Sequence, residues 1–343
     1  MAARTAGSAK PKPKKVAPGK AKKAKQAAPE KAKKKSPATI DKAGPARVAP
    51  AKPAQAEAAP PKPAPAGAAP TKGSTRTTST RVSSIRAAAN HLVLGIDIGG
   101  SGIKGAPVDL HEGRLANDRL RIDTPQPATP EACGVVVNNI VRHFSTMTSA
   151  EGPVGCTYPG VVWDGITHTA ANMDHGWLER DADAFLEEAC KRPFTVINDA
   201  QAAVLAEIRY GAARGAEGLV LMLTFGTGIG SGLAYRGVAI PGIEFGHLQM
   251  AGNDAERFAA ASVRDRENLS FKKWTERVNA YLARVEAMIW PEVIVLGGGV
   301  VNDADKWVPK LKTRTPVVVA ELGNDAGIVG AAIAATTQTN RKR

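Results

Sequence analysis

The chain has 343 residues, of which 43% are hydrophobic, so it is long enough for two ordinary domains with a sizeable core. Its net charge of +14 comes from the first 90 residues, which contain 21 Lys and Arg against three acidic residues and leave −4 for residues 91–343. No stretch approaches the roughly 20 apolar residues that span a bilayer, so we expect no membrane segment.

Residues 1–90 are mostly Ala, Lys, Pro, Thr and Ser, with almost no large apolar residue. This composition predicts a disordered basic tail, because too little apolar surface is present to offset the entropy of ordering it. Two interpretations stay open. The tail is either a polycation that contacts a polyanion such as polyphosphate or nucleic acid, or a solubilising extension without a specific ligand.

The targeting signals of exported proteins do not match the N-terminal segment. It has neither the apolar run of a secretory signal nor the Arg-rich composition of a transit peptide. The cysteines, Cys133, Cys156 and Cys190, are odd in number and scattered, which is typical of reduced thiols. We therefore expect a cytoplasmic protein.

From Leu92 onward, strand and helix patterns alternate. Short apolar runs predict strands at 92–98, 154–157, 194–197, 219–225, 232–235 and 293–296. Helices are predicted from Pro130, over 200–213, and most clearly over 274–289, where apolar residues recur every three or four positions for core packing or a dimer contact. The alternation predicts an α/β protein with mainly parallel sheets.

The predicted domain organisation has two α/β halves around a cleft, behind the tail. The boundaries place the first domain at 91–200 and the second at 201–324. A C-terminal helix at 325–336 is expected to return to the first domain, and residues 337–343 are expected to be disordered.

The first glycine-rich segment runs from Asp97 to Lys104. Gly99 and Gly100 allow a backbone turn to approach a phosphate closely, Ser101 adds a hydroxyl, Lys104 adds a charge, and Asp97 is suited to hold Mg²⁺ through water. Taken alone, an ordinary tight turn explains the glycines equally well.

Two further glycine-rich segments follow predicted strands. Gly226, Thr227 and Gly228 lie in a hairpin-like loop, with no Gly-Lys-Ser/Thr after it, so neither a Walker A loop nor a dinucleotide fingerprint is supported. Gly298 lies in the third run, at 297–299. Each segment has an ordinary turn as an alternative, but three strand-end loops together predict a cleft lined for phosphate.

Candidate catalytic and sugar-binding residues lie between and after these loops. Asp199 follows the strand at 194–197 and is the predicted base that takes the proton of an acceptor hydroxyl; the alternative is a helix N-cap. Glu244 and His247 are suited to bind sugar hydroxyls. Metal binding by this pair would need further close ligands, and ordinary polar loop residues are the third interpretation.

Taken in order, several segments resemble the repressor, open reading frame and sugar kinase (ROK) family, and within it the branch that uses polyphosphate. The resemblance covers about residues 91–336. Its carriers are LGIDIGGSGIKGA at 94–106, YPGVV at 158–162, TAAN at 169–172, INDA at 197–200, TFGTGIGS at 224–231 and EFGHL at 244–248.

The resemblance implies two ribonuclease H-like domains of the actin/hexokinase type around a cleft. It implies a polyphosphate glucokinase that transfers a phosphoryl group from polyphosphate, or from ATP, to the 6-hydroxyl of glucose, with Asp199 as the base. It further implies a homodimer. The residues implied to bind glucose are Asn172, Asn198, Glu244 and His247. Those implied to bind the phosphates and Mg²⁺ are Asp97, Gly99, Gly100, Lys104, Thr227 and Gly228.

The sequence departs from the family pattern at several places. Many members carry a Cys-rich zinc motif after the Glu-x-Gly-His step, but residues 249–256 contain no Cys, so no zinc is expected. Gln201 replaces an acid, and 173–176 replaces a Val-Asp-Lys-Ser type of step, which bears on sugar preference. Basic side chains for a polyphosphate chain, with a solvated helix face as the alternative, are Arg257, Arg264, Arg266, Lys272 and Lys273.

Three other functions compete with this prediction. An ATP-dependent glucokinase or mannokinase would use the same site. A sugar-responsive repressor would need an N-terminal helix-turn-helix, and residues 1–90 lack the apolar periodicity for one. A polyanion-binding protein would make the tail the main functional element, although the tail has no aromatic residues for stacking on bases.

Overall fold

The computed structural model describes residues 92–171 and 173–339. The predictions for the basic segment 1–90 and for Asn172 lie outside the described residues, as do those for residues 340–343 of the C-terminal end. The predicted disorder of residues 337–339 is wrong, because the C-terminal helix continues to Thr339.

The described part of the chain alternates strands and helices. The strands are β1 (Leu92–Ile98), β2 (Gly102–Asp109), β3 (Arg114–Leu115), β4 (Leu120–Asp123), β5 (Val154–Tyr158), β6 (Val162–Trp163), β7 (Ile166–Thr167), β8 (Arg180–Asp181), β9 (Phe194–Asn198), β10 (Leu219–Phe225), β11 (Ile229–Tyr235), β12 (Val238–Ile240), β13 (Gln249–Met250), β14 (Asn253–Asp254), β15 (Val293–Gly297) and β16 (Val317–Val319). The α-helices are α1 (Pro130–His143), α2 (Ala182–Cys190), α3 (Asp199–Tyr210), α4 (Ala255–Ala259), α5 (Ala261–Arg266), α6 (Phe271–Met288), α7 (Ala304–Trp307) and α8 (Ala326–Thr339).

Two main sheets have closely similar construction. The first has the strand order β3-β2-β1-β5-β9, with β4 also paired to β2, and the second has the order β12-β11-β10-β15-β16. In each, a glycine-rich turn joins an antiparallel pair, β1–β2 or β10–β11, and parallel strands follow on the other side. The expectation of mainly parallel sheets is therefore wrong, because both turns reverse the chain directly into a hairpin.

Helix α8 lies directly on the first sheet. A Cβ added at Gly95 would overlap the carbonyl of Ile328, and one added at Gly155 would overlap the carbonyl of Ala331. Only glycine permits so close an approach of helix and strand backbones. The helix is thereby packed against β1 and β5, the two strands that carry Asp97 and Thr157.

The stripe predicted over 274–289 is buried against the second sheet. Trp274, Val278, Tyr281, Leu282 and Val285 are inaccessible to solvent, whereas Met288 at the end of α6 is 46% exposed. Ring centroids of Trp274 and Trp307 lie 4.9 Å apart, and Phe225 at the end of β10 packs edge-on against both. This cluster supports the turn that follows Phe225.

Helix α3 is shorter than predicted. It ends at Tyr210 rather than at residue 213, because the buried Glu207 carboxylate accepts a hydrogen bond from Ala212 N at 2.8 Å. Cys133, Cys156 and Cys190 are all free and buried. None of the described helices has the length and apolar composition to cross a membrane.

Candidate active site

A cleft of about 600 Å³ collects most of the predicted site residues. Residues 159–161, 169 and 171 line one part, and the turn after β10 lines another. The predicted residues that line it are Asn198, Asp199, Gly226, Thr227, Gly228, Glu244, His247 and Gly298. It does not include Asp97, Gly99, Gly100, Ser101 and Lys104, whose roles stay predictions.

Asp199 is placed in the cleft by a close contact between α3 and β11. A Cβ added at Gly232 would overlap the backbone carbonyl of Ala200, so glycine is required for α3 to begin here. Asn198 is the N-cap of this helix, and its Oδ1 accepts a hydrogen bond from Gln201 N at 3.0 Å. The alternative that Asp199 serves only as the N-cap is therefore wrong.

The Asp199 carboxylate is held by two donors while its cleft side stays accessible to solvent. Its Oδ1 accepts hydrogen bonds from Ala200 N at 2.7 Å and from Asn198 Nδ2 at 3.1 Å. Burial of the carboxyl by the surrounding protein, followed by the negative charge of Asp97, raises the pKa of Asp199 to about 6. The carboxyl is therefore charged at neutral pH, and more basic than an ordinary aspartate.

Asp97 lies at the end of β1 beside two side chains that fix it. Lys104 Nζ is 3.1 Å from its Oδ2, and Thr157 Oγ1 donates to its Oδ1 at 2.6 Å. Both contacts follow from strand register, since Asp97 is paired with Lys104 on β2 and with Thr157 on β5. The adjoining turn is closed by Gly99 N, which donates to Gly102 O at 3.1 Å.

Glu244 and His247 approach the cleft from a loop and a short 3₁₀ helix, Phe245–His247. Burial raises the pKa of Glu244; the nearby His247 lowers it and the charge of Glu256 raises it further. His247 Nδ1 lies 3.1 Å from Asp254 Oδ2, and Gln249 Nε2 donates to Asp254 Oδ1 at 2.6 Å.

These contacts create a group with metal-ligating chemistry that the sequence analysis did not foresee. One ligand atom each from His247, Asp254 and Glu256 lie within 4.8 Å of one another. No further ligand close to His247 was identified from the sequence. The fold supplies two carboxylates, because β13 and β14 pair Gln249 with Asp254. The expected absence of zinc stays a prediction.

A second cavity, of about 330 Å³, adjoins the cleft through Gly226 and Thr227. Among the basic residues proposed for a polyphosphate chain, Arg264 lines it. The Arg264 guanidinium lies 2.6 Å from Asp265 and 4.2 Å from the centroid of the Phe271 ring. Arg257, Arg266, Lys272 and Lys273 are not part of its lining.

Sequence reasoning missed several side chains of the site. Thr157, Asp254 and Glu256 contact predicted residues or line the cleft, yet they were not singled out. The signal for Thr157 is its position at the end of the strand parallel to β1. Asp254 and Glu256 had only their short distance from His247 along the chain.

The comparisons with known proteins agree with this architecture. A model of the ROK family matches residues 93–262. A polyphosphate glucokinase from Mycobacterium tuberculosis (strain CDC 1551 / Oshkosh) is 49% identical over 246 residues, which cover 71% of this chain and 91% of that protein.

Two solved structures have the same fold. One is an inorganic polyphosphate/ATP-glucomannokinase from Arthrobacter sp. strain KM, with 47% identity, a TM-score of 0.69, and coverage of 73% of this chain and 100% of that chain. The other is a ROK family glucokinase from Streptomyces griseus in complex with glucose and AMPPNP, with 25% identity, a TM-score of 0.60, and coverage of 71% and 99%. The predicted α/β fold of the actin/hexokinase type is confirmed.

Proposed function

The chain belongs to the ROK family, and we propose that it is a polyphosphate glucokinase, which transfers a phosphoryl group from inorganic polyphosphate or ATP to the 6-hydroxyl of glucose. The observation that carries the proposal is the position and raised pKa of Asp199. It lies in one cleft with Glu244, His247 and the turn 226–228, and its pKa is raised to about 6.

Asp199 acts as the general base. Its carboxylate takes the proton of the glucose 6-hydroxyl as that oxygen attacks the terminal phosphorus of the donor, and the bond from this phosphorus to the leaving phosphate oxygen breaks. Hydrogen bonds from Ala200 N and Asn198 Nδ2 fix the position of the carboxylate. A raised pKa favours proton transfer while the group stays ionised at neutral pH.

Asn198, Glu244 and His247 bind the other hydroxyls of glucose, together with Asn172. Glu244 is half-buried in the cleft, where a carboxylate hydrogen bond to a sugar hydroxyl is stronger than in water. Gly226, Thr227, Gly228 and Gly298 border the same cleft and face the phosphoryl group. The backbone of Gly298 has φ of 87°, a conformation that favours glycine.

Asp97 would hold Mg²⁺, and Lys104 contacts the negatively charged phosphates of the donor. Gly99, Gly100 and Ser101 form the adjoining turn. The Asp97 carboxylate is only 16% exposed and is a hard oxygen ligand of the type that Mg²⁺ prefers through water. Its chemistry therefore fits the ion. When bound, Mg²⁺ would supply positive charge to the donor oxygens.

We propose both polyphosphate and ATP as donors because the relatives refer to different phosphoryl donors. The names of the mycobacterial and Arthrobacter proteins refer to polyphosphate, and the Streptomyces griseus structure holds AMPPNP. The second cavity, which Arg264 lines, adjoins the turn at 226–228 and is suited to bind further phosphates of either donor. We also propose a homodimer, active in the cytoplasm, with a first domain at 91–200 to which the C-terminal helix returns and a second domain at 201–324.

The test measures glucose 6-phosphate formation by the full chain, with polyphosphate and ATP as alternative donors. We expect activity with polyphosphate, and competition between the two donors if they share the site. Activity with ATP alone would overturn the assignment of polyphosphate as donor. No activity with either donor would overturn the proposed function.

A further inference from the structure

A third cavity, of about 300 Å³, lies along the face of α3 that does not carry Asp199. From α3 it is lined by Gln201, Leu205, Ile208 and Arg209, which are spaced as one face of a helix. The remaining lining comes from both halves of the structure and consists of Ile197 on β9, the segment Gly237–Ala239 at β12, and Ile333, Ala334 and Thr337 on α8.

The cavity has an apolar wall and a polar group without a partner. Gln201 is only 9% exposed, and within residues 92–171 and 173–339 its side-chain amide makes no hydrogen bond. The fully enclosed side-chain polar atoms without a partner among the described residues are Tyr281 Oη and Thr315 Oγ1, so the polar atoms of the Gln201 amide are accessible from the cavity. A hydrogen-bonding group on a bound molecule can therefore reach them.

A positive charge lies at the rim of the same cavity. Arg209 is exposed in the last turn of α3, and no carboxylate in the described part of the chain forms an ion pair with it. Its guanidinium lies 5.5 Å from the centroid of the Tyr210 ring. An anionic group on a ligand would find its counter-charge here, while an apolar group would fill the space between Leu205 and Ile333.

We propose that this cavity binds a small amphipathic carboxylate, with its apolar part among the aliphatic side chains and its carboxylate at Arg209. The volume lies at the lower end of the range for ligand cavities, roughly 300 to 1,000 Å³. The ligand class is therefore a short or medium-length acyl chain or a single ring that carries a carboxylate.

The position of Gln201 couples this cavity to the catalytic cleft. Gln201 also lines a small pocket together with Asn198, Ser231 and Glu244, all of which border the cleft. Its backbone N–H is the donor to the Asn198 cap at 3.0 Å. A ligand that fills the cavity contacts Gln201 and therefore acts on the residues that precede and position Asp199. This consequence rests on the proposed function, whereas binding of the ligand does not.

The experiment uses calorimetric titration of the full chain with octanoate, and with 1-octanol as the neutral comparison. We expect saturable binding of one octanoate per chain and weaker binding of 1-octanol. Arg209→Gln removes the charge at the rim and should weaken octanoate binding about tenfold. Arg142→Gln is the matched control, since Arg142 is an exposed arginine in the last turn of α1.

A second variant tests the cavity without altering its charge. Val238 is 49% exposed at the mouth, so Val238→Trp should fill the space, retain the fold and abolish octanoate binding. Val135→Trp is its control on α1, where Val135 is 62% exposed. Absence of saturable octanoate binding, or binding that both cavity variants leave unchanged, would overturn the proposal. So would a change of oligomeric state in Val238→Trp, which would make this face a contact between copies.

The coupling has its own readout. If the two sites interact, saturating glucose changes the octanoate Kd, and saturating octanoate changes the glucose Kd by the same factor. Equal Kd values with and without the other ligand would overturn the coupling but leave the binding site. Octanoate binding by a chain that forms no glucose 6-phosphate would instead count against the proposed function alone.

Discussion

The imidazole of His247 and the carboxylate of Asp254 are paired, with His247 Nδ1 3.1 Å from Asp254 Oδ2. Because Asp254 is held in turn by Gln249, this contact favours a proton on Nδ1 and leaves Nε2 as an acceptor for a sugar hydroxyl. Under the proposed function Asp254 is thus a positioning residue, which would act on glucose through His247.

Asp254→Asn is expected to raise the KM for glucose about tenfold, equal to about 1.4 kcal/mol, with a smaller effect on kcat. The reason is that the asparagine amide can turn its NH₂ group toward Nδ1, so it no longer keeps the proton on that nitrogen. Steady-state kinetics with varied glucose provide the measurement. Asp123→Asn is the control, because Asp123 is exposed and pairs only with Arg121 in the described residues. An unchanged KM would contradict the role of Asp254.

The activity should depend on pH through Asp199. A base works only as the carboxylate, and burial together with the charge of Asp97 raises the pKa of Asp199 to about 6. We therefore expect kcat to rise with pH through about 6 and then to level off. In Asp97→Asn the loss of a negative charge lowers the pKa of Asp199, so the acid limb of the residual activity should move to lower pH. A shift in the opposite direction would contradict this electrostatic account.

The stability of helix α3, which begins at Asp199, depends on Glu207. This fully buried carboxylate accepts hydrogen bonds from Ala212 N at 2.8 Å, Glu321 N at 3.1 Å and Leu322 N at 2.9 Å. Glu207→Gln places an NH₂ group against these donors and should lower the free energy of unfolding by about 2 kcal/mol. Denaturant unfolding measures it.

Glu276→Gln is the matched control for this experiment, because Glu276 is exposed on α6. Its free energy of unfolding should stay within about 0.5 kcal/mol of the unmodified chain. Equal destabilisation by the two substitutions would show that the Glu207 contacts have no special weight.

The purified chain is expected to contain no bound zinc, and dialysis against a chelator should leave Tm unchanged. The reason is that Asp254 already engages His247 and Gln249, and no cysteine lies near the group His247, Asp254 and Glu256 among the described residues. Elemental analysis checks the metal content. About one zinc per chain, with a fall in Tm on its removal, would contradict the prediction.

The strand ends and the start of α3 could be predicted, because short apolar runs and the glycines after them are local signals. Strand β2 was not predicted, since Gly102, Gly105 and Pro107 lower its strand propensity. Contacts between segments far apart in the sequence could not be predicted. The hydrogen bond from Thr157 to Asp97 joins residues 60 positions apart and depends on the register of β1 and β5.

The site was predicted in its residue types but not in its grouping. Asp199, Glu244 and His247 line one cleft, whereas the turn at Gly99–Ser101 does not. No local pattern specifies which side of a hairpin turn faces a neighbouring cleft. From the sequence only Asp199 was considered as a helix cap, and the cap is identified as Asn198 by the hydrogen bond that its Oδ1 accepts from Gln201 N, because both residue types are common caps.

The most direct test of the account is the rate of glucose 6-phosphate formation by Asp199→Asn, measured with glucose binding to the same variant. Asparagine keeps the size of the side chain but cannot accept the proton. We predict a fall in kcat of about 10²- to 10⁴-fold with the glucose Kd nearly unchanged. A variant that retains most of its activity would contradict the assignment of Asp199 as the base.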